Sequence, residues 1–388
     1  MVVQIDGGSS TNKGAQLMMV AVIQELKRRF PDAILWVNNN RPNEQLIKEL
    51  YGGNCRILRT ASFYRKVSKL HLVRFCGLFS RKLAMNLTEK HAIKGADVIL
   101  NIGGFQFGDQ WNHNATNVAN WRDYLIRQHQ FGAKTVFLPQ AFGPFEKAGS
   151  KKIIEVLNEG ADLLIARDDV SFNYLIEGGA KGNKVYLFPD FTASVEPQAT
   201  HYSSENKGKV CIIPNSKIFQ TGVMNKDSYL AAIVQVIEHI QEKGNEVFLL
   251  NHEGAMDYQL CQAIVGMTKK GSPIVTGLNA LDTKGVIATS KLVISSRFHG
   301  VANSLSSEVP CLATSWSHKY QKLLEEYGQE NCLLDLTNIE HALCQVDKML
   351  EDECNKSVRI VLHSKNEEVK SKNREMWDVI WQQLHLID

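Results

Sequence analysis

The chain has 388 residues, 44% of them hydrophobic and 22% charged, which excludes a disordered or fibrous chain and allows two domain-sized cores. With 44 basic against 41 acidic side chains, the formal charge of +3 is too small to point to nucleic acid. The charge is uneven, however. No acid occurs from Leu50 to Thr88, where Arg56, Arg59, Arg65, Lys66, Lys69, Arg74, Arg81 and Lys82 stand together.

In chain order, VVQID reads as a strand, GAQLMMVAVIQELKRRF as a helix, AILWV as a strand and EQLIKELYG as a helix. ADVILNIGG is a buried strand ending in glycines, followed by a helix over NVANWRDYLIRQHQFG and the strand KTVFLPQ. ADLLIARD and KVYLFPD each close an apolar run with polar residues. VEPQATHYSSENKGK, at 195–209, is polar and turn-rich and reads as a linker. The pattern then restarts with KVCIIPN, a helix over SYLAAIVQVIEHIQEKG, EVFLLNHEG, a helix over YQLCQAIVGMTKKG, SPIVTG, KLVISSRFHG, CLATSW and NCLLDL. From Ile339 onward the composition is helical.

Continuous apolar runs separated by helices indicate parallel sheets covered on both faces. The expected fold class is therefore α/β, with two Rossmann-like doubly wound domains facing a cleft. Residues 1–194 form the N-terminal domain, and residues 210–388 form the C-terminal domain with a helical tail. Ligands bind such sheets at the carboxyl ends of the strands, so motifs at those ends carry the functional reading.

The eight cysteines form no CxxC pair, and several lie in apolar runs such as KVCIIPN. They read as reduced thiols in a cytoplasm, acting as small core hydrophobes. MVVQIDGG lacks the basic and apolar regions of a signal peptide. No apolar run approaches the roughly 18–20 residues that span a bilayer.

The turn GGSSTNKGAQ offers backbone N–H groups and a helix start to an anion, or is a tight turn capped by Ser or Thr. In NIGGFQFGDQW, Gly103 and Gly104 allow close backbone approach. Asp109 would accept hydrogen bonds from sugar hydroxyls, and Phe107 or Trp111 would stack on a sugar face. The alternative is a turn whose aromatics simply pack. Arg167, just past the strand LLIA, suits a carboxylate or phosphate, or pairs at the surface with Asp168 or Asp169.

The most informative stretch is KLVISSRFHGVANSLSSEVPCLATSW. It delivers Ser295, Ser296, Arg297 and His299 to one strand end, as a phosphate clamp beside an acid/base. His318 and Lys319 follow from an adjacent edge. EVFLLNHEG ends in Asn251, His252 and Glu253, too few ligands for a zinc site, and no metal or cofactor is expected. GxSxG and DxD motifs are absent.

Together GGSSTNKGAQ, IGGFQFGDQW, LPQAFGPF, ARDDVSFNYL, FPDFT and SSRFHGVANSLSSEVPCLATSWSHKYQKLLEEYG resemble, in this order, the polysaccharide pyruvyl transferase family. The resemblance spans about residues 4–328. It implies a GT-B-like fold and transfer of pyruvate from phosphoenolpyruvate to two hydroxyls of a sugar, as a cyclic ketal. It also implies an acceptor that is a sugar or a lipid-linked oligosaccharide. On this basis His299 is the catalytic acid/base, and Arg167, Ser296, Arg297, His318 and Lys319 bind the donor. Asn12, Gly103, Gly104, Asp109 and Trp111 belong to the acceptor side.

Two other classes fit the same pattern. One is a GT-B glycosyltransferase with a nucleotide-sugar donor, and the other is a non-catalytic sugar-binding protein of an assembly complex. The basic segment 63–86 interleaves cations with Phe, Leu and Val, as in a segment lying on an anionic membrane surface. The alternative is a solvated helix face. The expected location is the cytoplasm, including the inner face of its membrane, and no nucleic-acid partner is expected.

Overall fold

A computed structural model describes residues 1–9, 12–40, 44–52, 54–57, 96–315 and 319–387. The basic segment 63–86 and His318 lie outside the described residues.

The first unit comprises Met1–Ser10, Met18–Asp190 and Arg374–Asp388. Its strands are β1 (Val2–Ser9), β2 (Ile34–Asn40), β3 (Cys55–Ile57), β4 (Val98–Asn101), β5 (Phe105–Phe107), β6 (Lys134–Phe142), β7 (Leu163–Ala166) and β8 (Val185–Leu187). Its helices are α1 (Lys13–Arg29), α2 (Glu44–Tyr51), α3 (Ala115–Gln130), α4 (Ala148–Gly160) and α5 (Asp169–Glu177). The strands run parallel in the order β3-β2-β1-β4-β6-β7-β8, with β5 pairing β6. VILN and LLIA are buried at every position, as expected for strands covered on both faces.

The second unit comprises Thr11–Leu17 and Phe191–Asn373. It holds β9 (Val210–Ile213), α6 (Lys226–Glu242), β10 (Val247–Leu250), α7 (Gly254–Met267), β11 (Ile274–Val275) and α8 (Ala280–Ala288). It continues with β12 (Leu292–Ser295), α9 (Phe298–Ser306), β13 (Cys311–Ala313), α10 (Lys319–Glu326), α11 (Ile339–Leu350) and α12 (Asp352–Gln383). Five parallel strands follow the order β11-β10-β9-β12-β13. Strand order therefore reverses beside β1 in the first sheet and beside β9 in the second, which places the switch-point crevices at β1/β4 and β9/β12.

The expected strands are present, with two differences. NCLLDL makes only one bridge, Leu333 to Ala313. β3 and β5, three residues each, are too short for a period to show in the sequence. The segment 195–209 carries a short helix, His201–Glu205, closed by a Thr200–Ser203 capping box. Two segments group away from their neighbours in the chain: 11–17 with the second unit and 374–388 with the first. In the latter, Trp381 stands edge-on to Phe30 at 5.0 Å and donates its indole N–H to Glu25, while Asp378 pairs with Arg29. No helix among the described residues is long and apolar enough to cross a membrane.

Candidate active site

The second unit concentrates its polar groups at the carboxyl ends of β9, β10, β12 and β13. Ser296 ties these ends together. Its N–H donates to the Ile213 carbonyl at 2.8 Å, and its carbonyl accepts from Asn215 Nδ2 and Tyr320 Oη, both at 2.9 Å. Its hydroxyl meets Tyr229 Oη at 2.8 Å and Thr314 Oγ1 at 2.6 Å. Ser296, expected to bind the donor, is 2% exposed and holds these strand ends together. Its backbone and hydroxyl groups bond four neighbouring segments, through Ile213 and Asn215, Tyr229, Thr314 and Tyr320.

Arg297 follows at the N-cap of α9, with no side chain capping that helix. Its guanidinium is forked by Asp257, from Nε at 2.9 Å and from Nη2 at 2.7 Å, and Nη1 pairs with Glu253. Among the described residues, three of the five N–H groups of this arginine are thereby committed. Glu253 and Asp257 sit at the N-cap and first turn of α7, where negative charge is favoured by the helix dipole. Burial pushes the Asp257 carboxyl above the usual carboxylate range, and Arg297 opposes that rise.

His299, in the first turn of α9, lies against the first turn of α1: a Cβ on Gly14 would come within 2.0 Å of its Nδ1. Lys13 adds a cation whose pKa burial lowers, against the pull of Asp282 and Glu253. His252 is 2% exposed, and burial drives its pKa well below the usual histidine value, reinforced by Arg297, His299 and Lys13. It is a neutral imidazole at physiological pH. Lys319 lies over the Phe298 ring at 5.3 Å and the Tyr320 ring at 5.7 Å, so it stands beside the start of α9. The arrangement can bind a small anion at a helix N-terminus lined by cations, with an imidazole alongside.

The opening turn therefore serves this site. Asn12, expected on the acceptor side, caps α1 by accepting the Ala15 N–H at 3.1 Å, within the segment grouped with the second unit. Gln16 Oε1 accepts the Ala280 N–H at the start of α8. Gly14 is required by His299 rather than by the turn. Gly14→Ala is expected to displace the imidazole without unfolding the chain, because a side chain and not backbone must yield. The expected cost is about 100-fold in kcat/KM, read as phosphate release; an unchanged rate would show that His299 needs no such positioning.

The first unit holds the remaining candidates. Arg167, 8% exposed, pairs with Asp190 of the FPD motif at 3.7 Å. Asp168 instead caps α5 by accepting the Ser171 N–H. Arg167 and the Arg297 cluster belong to different units.

The carboxylate of Asp109 accepts the backbone N–H groups of Glu146 and Lys147, each at 3.0 Å. Burial alone would raise this carboxyl, but hydrogen bonds from Ser150, Lys147 and Glu146 outweigh it and hold it below the usual range. Asp109 thus pins its loop to the start of α4, with one backbone N–H on each carboxylate oxygen. Gly103 makes room for Gln106, whose Nε2 would lie 1.3 Å from an added Cβ and which donates to Asn101 Oδ1 at 2.7 Å. Gly104 has a φ of +68°, a turn requirement. The glycine pair is explained by local packing. Trp111 is 50% exposed, with its ring edge-on to Phe105 at 6.2 Å.

Lys13, Asp257 and Glu253 complete the site without a strong sequence signal. The one available sign was the acidic i,i+4 pair directly after a buried strand, Glu253 and Asp257.

The family model of polysaccharide pyruvyl transferases matches residues 12–318 of this chain. The chain belongs to the polysaccharide pyruvyl transferase family. The matched span holds both the α1 start and the strand-end cluster just described, and membership makes the protein a transferase of polysaccharide biosynthesis.

Solved structures with the same fold include a Listeria monocytogenes protein assigned as a UDP-N-acetylglucosamine 2-epimerase (TM-score 0.66, 12% identity, covering 100% of this chain and 97% of that one). The UDP-GlcNAc 2-epimerase of Methanocaldococcus jannaschii has a TM-score of 0.62 at 13% identity, covering 98% of this chain and 100% of its own. HepE of Anabaena, solved with UDP and glucose, has a TM-score of 0.62 at 11% identity, covering 98% and 99%. These likenesses place the pyruvyl transferase in the GT-B-like class of paired Rossmann-like domains.

Proposed function

We propose that this pyruvyl transferase takes its pyruvyl group from phosphoenolpyruvate and closes a cyclic ketal on two hydroxyls of a sugar carried by a lipid-linked oligosaccharide. The observation that carries the reading is the meeting of Lys13, Arg297 and Lys319 around the start of α9, with His299 in its first turn. Phosphoenolpyruvate carries a carboxylate and a phosphate, and needs separate cations to hold them apart. Glu253 and Asp257 fix the guanidinium plane of Arg297.

In this scheme His299 gives its proton to the methylene carbon of the enol, and C2 becomes electrophilic. A sugar hydroxyl adds to C2 and loses its proton, phosphate departs, and a second hydroxyl closes the ketal with loss of its own proton. The helix N-terminus and the cations stabilise the departing phosphate. The basic segment 63–86, outside the described residues, is the proposed contact with the anionic surface that bears such an acceptor.

Heat protection separates donors. Phosphoenolpyruvate at 100 times its Kd is expected to stabilise the intact chain by about 2.7 kcal/mol. Protection by UDP-glucose alone would replace this reading with that of a nucleotide-sugar enzyme.

A further inference from the structure

The proposed reaction moves two protons. Each of two sugar hydroxyls gives one up; the methylene carbon gains one to become a methyl group, and the phosphate gains the other. Breaking the C2–O bond of a phosphate ester that already carries two charges would otherwise expel the phosphate trianion, a base too strong to leave without a proton. His299 serves the carbon in this scheme, so a second acid is required at the phosphate.

His252 stands beside the same helix start. It lies two residues past the carboxyl end of β10, on the strand next to β9 and its switch point. Its loop is tied to the end of β11 by the Asn251 N–H on the Val275 carbonyl and by Asn251 Nδ2 on Thr276 Oγ1, both at 2.9 Å. The next residue, Glu253, caps α7 and holds Arg297. Arg297 and His299 of α9 and Lys13 of α1 all lie within electrostatic reach of the ring. The carboxylates facing those cations are Glu253, Asp257 and Asp282. Every one of these groups belongs to the second unit. The ring is 2% exposed, yet its Nε2 is buried with no hydrogen-bond partner among the described residues. A buried ring nitrogen normally has a partner, and a phosphate oxygen would supply one.

Burial and the surrounding cations oppose a proton on this ring. A carboxylate and a phosphate entering among Arg297, Lys13 and His299 offset those charges. Anion binding and proton uptake by His252 therefore favour each other, by the same factor in both directions.

We infer that His252 is a second catalytic acid of this site, taking a proton as the anionic donor binds and giving it from Nε2 to the bridging oxygen as the C2–O bond breaks. The electron pair of that bond stays on the oxygen, and hydrogen phosphate leaves. The second hydroxyl then adds to C2 and returns its proton to His252. The inference rests on the phosphoenolpyruvate reading and adds a residue to it.

Calorimetric titration of the full chain with phosphoenolpyruvate at neutral pH, in two buffers of different ionisation enthalpy, measures the protons taken up on binding. After correction for the ligand's own ionisation, uptake is expected in wild type and in His299→Gln. It is expected to fall in His252→Gln, with binding weakened about tenfold and phosphate release slowed at least about 100-fold. No uptake by wild type overturns the inference without any variant, and so does uptake or turnover unchanged in His252→Gln. Inorganic phosphate, titrated in parallel, separates the donor from the acid. If phosphate binds and phosphoenolpyruvate does not, the donor reading falls. Uptake with phosphate that disappears in His252→Gln then upholds His252 as the proton donor to a bound anion, and uptake that persists overturns it.

Discussion

Replacing His299 with alanine is expected to slow phosphate release from phosphoenolpyruvate by at least about 100-fold, with thermal unfolding unchanged. The side chain is only part-buried and lies in the first turn of α9, so its removal opens no core cavity. The size of the effect follows from its position. An imidazole at the β9/β12 switch point, beside a helix start lined by Arg297, Lys13 and Lys319, is placed to transfer a proton to a bound anion. Gly14 has no side chain where one would collide with Nδ1. A non-catalytic sugar-binding protein would have no turnover to lose. Wild-type turnover that survives His299→Ala at full rate would reassign the acid/base role.

Arg297→Met is expected to remove activity and also to destabilise the second unit by roughly 3–5 kcal/mol, because it strands a buried charge. Asp257 is 1% exposed and would keep the repulsion of the Glu253 carboxylate, offset only by a hydrogen bond from the Glu253 backbone. The pH dependence has a definite sign. A carboxyl with a raised folded-state pKa binds its proton more tightly when folded, so stability falls as pH rises from the unfolded value, near 3.8, through the folded one. In wild type Arg297 opposes that rise; without it the Asp257 pKa climbs further. The penalty therefore shrinks on acidification. Denaturant titrations of wild type and Arg297→Met at pH 7 and pH 5 check this. A penalty equal at both would mean that Asp257 is not the stranded group. Arg297→Lys should recover part of the stability but not the two-point fork.

His299 and Arg297 were legible in the chain because both stand within a few residues of a buried strand end, so their placement is local. Lys13 was not. It lies in α1, whose first turn groups with the other unit, and it meets Glu253 and Asp282 across some 240 residues or more of chain. Other long-range partners were hidden for the same reason. Asp109 stands in a loop with aromatics and glycines, a pattern also seen in sugar-binding loops, but the N–H groups of Glu146 and Lys147 claim its carboxylate from 37 and 38 residues away. Ser296 stands at its strand end, and its partner Tyr229, 67 residues earlier, was not visible in the local sequence. For Arg167 the adjacent Asp168 and Asp169 were the visible partners, whereas the buried one is Asp190.

By itself the sequence determined the α/β class, the parallel strands, the edge where chemistry gathers and the family, because apolar period and strand-end motifs are properties of consecutive residues. Tertiary structure alone decided which polar groups are spent on each other. It set Ser296 and Asp109 to holding strand and loop ends, gave Arg297 its two carboxylates, and brought Gly14 to His299 and Lys13 near Glu253 and Asp282. A buried donor or acceptor must find a partner wherever the fold supplies one, and that partner need not be near it in the chain.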